Sequence, residues 1–110
     1  MKQYVIDELR EPDFYRLKEH LEQNLESTVM DGIYWVDLPV SLYTEMQGQH
    51  ATCQPYYFAI HLDFWQVSFE LLVRSRPTLH CPCIAIADAR QREYILQYAD
   101  HLLEGLDIQA

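Results

Sequence analysis

The stretch YYFAIHLDFWQVSFELLV, residues 56–73, carries the clearest strand pattern in the sequence. From Tyr56 to Leu62, and again from Val67 to Val73, large apolar side chains recur at every second position. A period of two residues places alternate side chains on opposite faces of a strand. Residues 63–66 break the pattern between the two runs. We therefore predict an antiparallel hairpin over this stretch.

Four elements are expected before the hairpin. A short apolar run predicts a strand over residues 3–6, and the β-branched and aromatic residues of 33–38 predict another. Between them, apolar side chains recur at spacings of three and four, which indicates an amphipathic helix over residues 12–26. A short helix is expected over residues 41–47, with Ser41 as its cap and Gly48 as its stop.

Two elements are expected after the hairpin. Residues 79–87 predict a strand, and Pro82 within it cannot donate a ladder hydrogen bond. This strand should therefore lie at a sheet edge or carry a bulge. Asp88 is the expected cap of the last helix, with Gln91 at the capping-box position and Gly105 near the end.

The order of elements is β-α-β-(α)-β-β-β-α, which predicts a single α+β domain over residues 1–110. We expect a two-layer sandwich: a mostly antiparallel sheet of about five strands, with the two main helices on one face. A length of 110 residues suits one domain. With 49% hydrophobic residues, 3 Gly and 5 Pro, the composition excludes a disordered or low-complexity chain.

The charge balance is strongly acidic, with 17 acidic and 8 basic residues and a net charge of −9. No Lys or Arg lies between Lys18 and Arg74. An acidic chain repels phosphate, which argues against a nonspecific nucleic-acid binder and against a polybasic membrane-surface protein. The excess of carboxylates serves solubility or steers a basic partner.

We expect the chain to be cytoplasmic, because the sequence holds neither a long apolar run nor a signal-peptide pattern. Its 3 cysteines are an odd number, which differs from the disulfide framework of a small secreted domain. In a reducing compartment these residues are free thiols, buried apolar residues or metal ligands.

The sharpest chemical pattern combines His50-x-x-Cys53 with Cys81-Pro82-Cys83. Residues two apart on a strand share a face, so the two late thiols should lie together, and a loop could supply His50 and Cys53. Three cysteines and one histidine form a known structural zinc set. We therefore predict a zinc site of His50, Cys53, Cys81 and Cys83, with buried cysteines on an apolar strand face as the alternative.

A thiol-dependent enzyme or redox protein using Cys53, Cys81 or Cys83 is the second functional hypothesis, because a nearby base can generate a thiolate. The sequence lacks a nucleophile elbow, a P-loop, an HExxH motif and a Cys-x-x-Cys pair, which would accompany such chemistry. A non-catalytic protein-binding or adaptor module is the first hypothesis.

Four residues are candidates for partner binding: Phe64, Trp65, Arg74 and Arg76. Phe64 and Trp65 lie at the hairpin break, where they must either fold back over the sheet or meet another chain, such as a second copy in a homodimer. Arg74 and Arg76 share one face of their strand, and they either pair with carboxylates or bind an anion.

Overall fold

The computed structural model describes residues 2–26 and 28–109. Within them, six strands form an antiparallel sheet, accompanied by three α-helices and two short 3-10 turns. The elements are β1 (Gln3–Ile6), α1 (Glu11–Asn24), β2 (Ile33–Asp37), α2 (Glu45–Gln49), β3 (Tyr56–Leu62), β4 (Val67–Glu70), β5 (Leu72–Ser75), β6 (Ala85–Ile86) and α3 (Ala89–Gly105). The predicted α+β class and antiparallel sheet are confirmed.

Strand β3 is the centre of the sheet, with β2 along one side and β4 and β5 sharing the other. The predicted hairpin is present, but its second strand is divided at Leu71. Ile60 pairs with Phe69 in β4, whereas Tyr57 pairs with Arg74 in β5, so the register shifts by two residues across Leu71. Such extra residues bend a strand and increase its twist.

Because the chain bends at Leu71, one continuous segment pairs with two different outer strands. The Leu71 N–H donates to the carbonyl of Lys2, and its carbonyl accepts from the N–H of Ala87. Strand β1 accordingly pairs with β4, and β6 pairs with β5. The predicted edge position of the late strand is thus confirmed.

One face of the sheet forms the core with the helices. In β3 the side chains of Tyr56, Phe58 and Ile60 are fully buried. The apolar stripes of both long helices join this face in one cluster, and the ring of Tyr98 in α3 meets that of Phe58 edge-on at 5.6 Å. The helix contributions to the cluster are Leu17, Leu21, Ile95, Ala99, Leu102 and Leu103.

The opposite face of the sheet is covered by its own long side chains. Trp35 stacks on Tyr57 with ring centroids 4.3 Å apart, and the guanidinium of Arg76 lies over both rings. Farther along, the buried carboxylate of Glu70 contacts Arg74 and also His61 on the neighbouring strand. These layers keep Tyr57 and Glu70 largely out of water.

The short helix begins later than predicted. Ser41 lies inside a 3-10 turn, Val40–Leu42, and the N-cap of α2 is Thr44. Thr44 and Gln47 form a reciprocal capping box, which satisfies two N–H groups that Ser41 does not reach. Gly48 lies within α2 and does not end it.

The late strand is shorter than predicted, because residues 79–84 form bends and a turn instead of a ladder. The N–H of Ile84 donates to the carbonyl of Cys81, which closes a turn with Pro82 at its second position. Proline favours that position because its φ angle is already set. Asp88 and Gln91 cap α3 reciprocally, as predicted.

No helix in the described ranges combines the length and the apolar character that crossing a membrane requires.

Candidate three-thiol site

Two loops meet at one end of β3 and bring the three cysteines together. Cys53 ends the 3-10 turn just before β3, while Cys81 and Cys83 flank Pro82 in the turn before β6. All three side chains are buried, and their sulfur atoms lie within 4.8 Å of one another. We call this group the three-thiol site.

The pairing of β3 with β5 explains why such distant residues meet. Tyr56 pairs with Ser75, and the Ser75 hydroxyl donates to the carbonyl of Cys53. The chain that leaves β5 therefore starts beside the turn that enters β3. Cys81 then lies with its Cα atom 6.6 Å from that of Cys53.

Cys81 and Cys83 lie together for a different reason from the one predicted. Their Cα atoms are 5.3 Å apart because the turn around Pro82 folds the chain back, not because a strand alternates its faces. The expected proximity is present although the expected local structure is not.

His50 does not join the three-thiol site in the structure. Its Nδ1 atom lies 2.7 Å from the carbonyl oxygen of Met46 in α2. Within the described residues, the side chains that lie close enough together here to hold a metal ion are those of the three cysteines. Of the four predicted ligands, the fold therefore brings together Cys53, Cys81 and Cys83.

Two buried glutamines hold the three-thiol site against the helices. Gln47 donates from Nε2 to the carbonyl of Cys83 at 3.2 Å, and its Oε1 accepts from Nε2 of Gln91 at 2.9 Å. Gln91 Nε2 also donates to the carbonyl of Leu42. Each glutamine is at the same time the capping-box residue of its own helix, so the starts of α2 and α3 are tied to the cysteine turn.

The hydroxyl of Tyr56 is the second polar contact of the site. It lies 3.0 Å from the sulfur of Cys83 and 3.1 Å from the carbonyl oxygen of Gln47. Burial raises the pKa of Tyr56 above its ordinary value, so the hydroxyl keeps its hydrogen at neutral pH.

That single hydrogen can serve either neighbour. When the hydroxyl donates to Gln47, the Cys83 thiol can donate to the hydroxyl oxygen. When Cys83 carries no hydrogen, the hydroxyl can donate to its sulfur, because the Gln47 carbonyl still accepts from Nε2 of Gln54 at 3.3 Å. The surroundings therefore suit Cys83 both as a thiol and as a bonded or ligating sulfur.

The three sulfurs allow two kinds of chemistry. As thiolates, they are soft ligands of the type that zinc and copper(I) prefer. As a redox group, the sulfur of Cys81 is within disulfide-bonding reach of both Cys53 and Cys83. Because one sulfur forms one disulfide bond at a time, these two pairs are alternatives.

The two aromatic residues predicted to bind a partner differ in their surroundings, since one packs on a helix and the other is exposed. Phe64 packs on helix α1, with its ring centroid 5.1 Å from that of Phe14 and an edge contact to Tyr15. Trp65 meets the Phe64 ring edge-on but remains 67% exposed, and Tyr15 is 54% exposed. We call Phe14, Tyr15, Phe64 and Trp65 the aromatic surface.

The two predicted partner-binding arginines contact carboxylates of their own chain. Arg74 donates to both oxygens of Glu70. Arg76 donates to Asp37 at 2.6 Å and contacts Glu26 at 3.5 Å. Of the two expected roles, pairing with carboxylates or binding an anion, these contacts show the first.

Sequence reasoning missed Gln47 and Tyr56 as neighbours of the site. A signal for Gln47 existed, because Thr44-x-x-Gln47 has the same capping-box form as Asp88-x-x-Gln91. Comparison with protein-family models, curated proteins and solved structures finds no match for this chain.

Proposed function

We propose that this chain is a non-catalytic protein-binding module whose loops are stabilised by zinc bound to Cys53, Cys81 and Cys83. The observation that carries the proposal is the convergence of three buried sulfurs from two loops. Three thiolates in a buried site would repel one another, and a soft cation removes that cost. Zinc takes a fourth donor, which solvent or a partner would supply.

The binding surface that we propose is the aromatic surface. It lies where β3 turns into β4, at the opposite end of β3 from Cys53, about 20 Å away at the usual rise per residue. Exposed tryptophan and tyrosine side chains are enriched in interface hot spots. The metal would thus support the loops at one end of the sheet, while the other end meets the partner.

Metal analysis of the untagged protein, purified without chelator, tests the zinc proposal. We expect about one zinc per chain. Cys81→Ser should abolish zinc binding, because it removes the sulfur that lies close to both of the others. His50→Ala is the matched control and should keep the metal, since His50 lies outside the group of sulfurs. A zinc-free wild-type protein with three titratable thiols would contradict the proposal, and loss of zinc in His50→Ala would contradict the ligand set.

Sedimentation tests the aromatic surface with a second copy of the chain as the partner. If the chain forms a homodimer, Trp65→Ala should shift the measured mass from dimer toward monomer with unchanged circular dichroism. Leu79→Ala is the control, because Leu79 is 80% exposed and lies outside the aromatic surface. A monomeric wild-type protein at high concentration would reject self-association through this surface.

A thiol-based redox role is the second candidate function. The observation that favours it is the position of Cys81, within disulfide-bonding reach of two other cysteines. Purification without reductant or chelator discriminates the two functions. One disulfide, one free thiol and no zinc would favour the redox role, whereas three protected thiolates and one zinc would favour the metal site.

A further inference from the structure

We propose that in the metal-free, oxidised chain Cys81 exchanges its disulfide bond between Cys53 and Cys83, so that the site switches between a long-range and a local crosslink. The inference rests on the same three residues as the proposed function but not on the metal.

The number and arrangement of the sulfurs make exchange possible. Two-electron oxidation of three thiols leaves one disulfide and one thiol. Because all three sulfurs lie within 4.8 Å of one another, the remaining thiol stays beside the bond instead of being separated from it. Thiolate attack on a neighbouring disulfide sulfur is the ordinary route of exchange.

The central position belongs to Cys81. Its sulfur belongs to both of the pairs that the structure places within disulfide-bonding reach, with Cys53 on the facing loop and Cys83 in its own turn. The sulfur of Cys83 is held by the Tyr56 hydroxyl, and the carbonyl of the same residue is held by Gln47. These two contacts hold Cys83 beside Cys81 and do not use the bond between the two sulfurs.

The chemistry balances in two steps. Glutathione disulfide, a low-molecular-weight oxidant, takes two electrons and two protons from Cys53 and Cys81, which yields their disulfide and two glutathione thiols. The Cys83 thiolate then attacks the sulfur of Cys81. The Cys81–Cys83 bond forms, the Cys53–Cys81 bond breaks, and Cys53 leaves as a thiolate that takes up a proton equivalent to the one Cys83 released.

The two crosslinks differ in what they constrain. A Cys53–Cys81 bond joins residues separated by 28 positions and ties the entry of β3 to the loop that follows β5. A Cys81–Cys83 bond spans 2 positions, inside a turn that the Ile84 N–H already closes. Crosslinks that close longer loops restrict the unfolded chain more, so the Cys53–Cys81 bond should stabilise the fold more than the Cys81–Cys83 bond does. Exchange would also free the loop before β3 from the loop after β5, without any change in total oxidation.

Peptide mapping of the unaltered chain tests the exchange. The chain is freed of metal with a chelator, reduced, oxidised with glutathione disulfide and blocked with N-ethylmaleimide. Trypsin cuts after Lys18, Arg74 and Arg90 but not between Arg76 and proline, so Cys53 falls in fragment 19–74 and both other cysteines in fragment 75–90.

We expect two products in one sample. In the first, the two fragments are joined and Cys83 carries the maleimide. In the second, the fragments are separate, fragment 75–90 is internally bonded and Cys53 carries the maleimide. One product alone, or maleimide on Cys81, would overturn the proposal. Because the metal is removed first, failure of the zinc proposal does not affect this result.

Two variants, each able to form only one of the two crosslinks, measure how much each crosslink stabilises the fold. Cys83→Ser retains Cys53 and Cys81, so within one chain it can form only the long-range bond, and the melting temperature of its oxidised form should exceed that of its reduced form by on the order of 10 °C. Oxidised Cys53→Ser can form only the local bond and should gain much less. Equal gains would overturn the switch, and the mapping of the unaltered chain decides the exchange if either variant fails to fold.

Discussion

Replacement of Gln47 by leucine should destabilise the whole domain, because this side chain joins three parts of the fold. Gln47 is 1% exposed, and its amide accepts from the N–H of Thr44 and from Gln91 while donating to the carbonyl of Cys83. Leucine has a similar size and offers none of these hydrogen bonds. The substitution therefore removes the polar link between α2, α3 and the three-thiol site.

The expected loss of unfolding free energy is the sum of the effects on the hydrogen-bond partners of Gln47. The Cys83 carbonyl loses the donor that the structure gives it inside the core, which costs about 1–3 kcal/mol. The bonds to Thr44 and Gln91 together contribute about 2 kcal/mol, with Gln91 still donating to Leu42. The added apolar surface of leucine returns about 1 kcal/mol. The free energy of unfolding should fall by about 2–4 kcal/mol, a decrease in melting temperature of about 10–15 °C for a domain of this size.

Urea and thermal unfolding followed by circular dichroism would measure this loss in reduced, metal-free protein. Gln49→Leu is the matched control, because Gln49 lies on the exposed side of α2, where its side-chain amide donates to Glu45 at 3.5 Å. The control should stay within about 0.5 kcal/mol of the wild type. Equal unfolding midpoints for the two variants would refute the argument that the Gln47 amide connects the site to the helices.

Three further predictions concern other parts of the fold. Gly32→Ala should cost about 2 kcal/mol, since φ is +81° and an added Cβ would lie 2.8 Å from a backbone oxygen. Gly48→Ala in α2 should stabilise by about 0.5 kcal/mol, because an added Cβ there meets no atom within 4 Å. Urea midpoints equal to that of the wild type would contradict both expectations. Arg76→Ala should cost about 1 kcal/mol and make Trp35 more accessible to an aqueous fluorescence quencher, because the guanidinium covers that ring; unchanged quenching would show that it does not. Arg10 precedes α1 and donates from its guanidinium and its backbone N–H to the carboxylate of Asp13. These bonds hold the pKa of Asp13 below its usual range, so Asp13→Asn should cost about 1 kcal/mol at neutral pH. That difference should vanish as the pH falls through the folded-state pKa of Asp13, and a pH-independent difference would contradict the assignment.

Local patterns decided those parts of the fold that the sequence predicts well. The alternation over residues 56–73 predicts the central hairpin, because a strand repeats its faces every second residue whatever surrounds it. Asp88 and Gln91 predict the start of α3, because a capping box involves only neighbouring residues. The same local logic failed at Ser41, since Thr44 competes for the helix start and has Gln47 three residues later.

The candidate site depended on contacts between distant residues. The clustering of Cys53, Cys81 and Cys83 could be suspected from residue type, but the pairing of β3 with β5 brings the loops together. His50 illustrates the limit, because its spacing from Cys53 is compatible with a ligand pair while its ring contacts the carbonyl of Met46. Spacing along the chain determines which residues can meet, whereas the register of β3 against β5 and the packing of two buried glutamines determine which residues do.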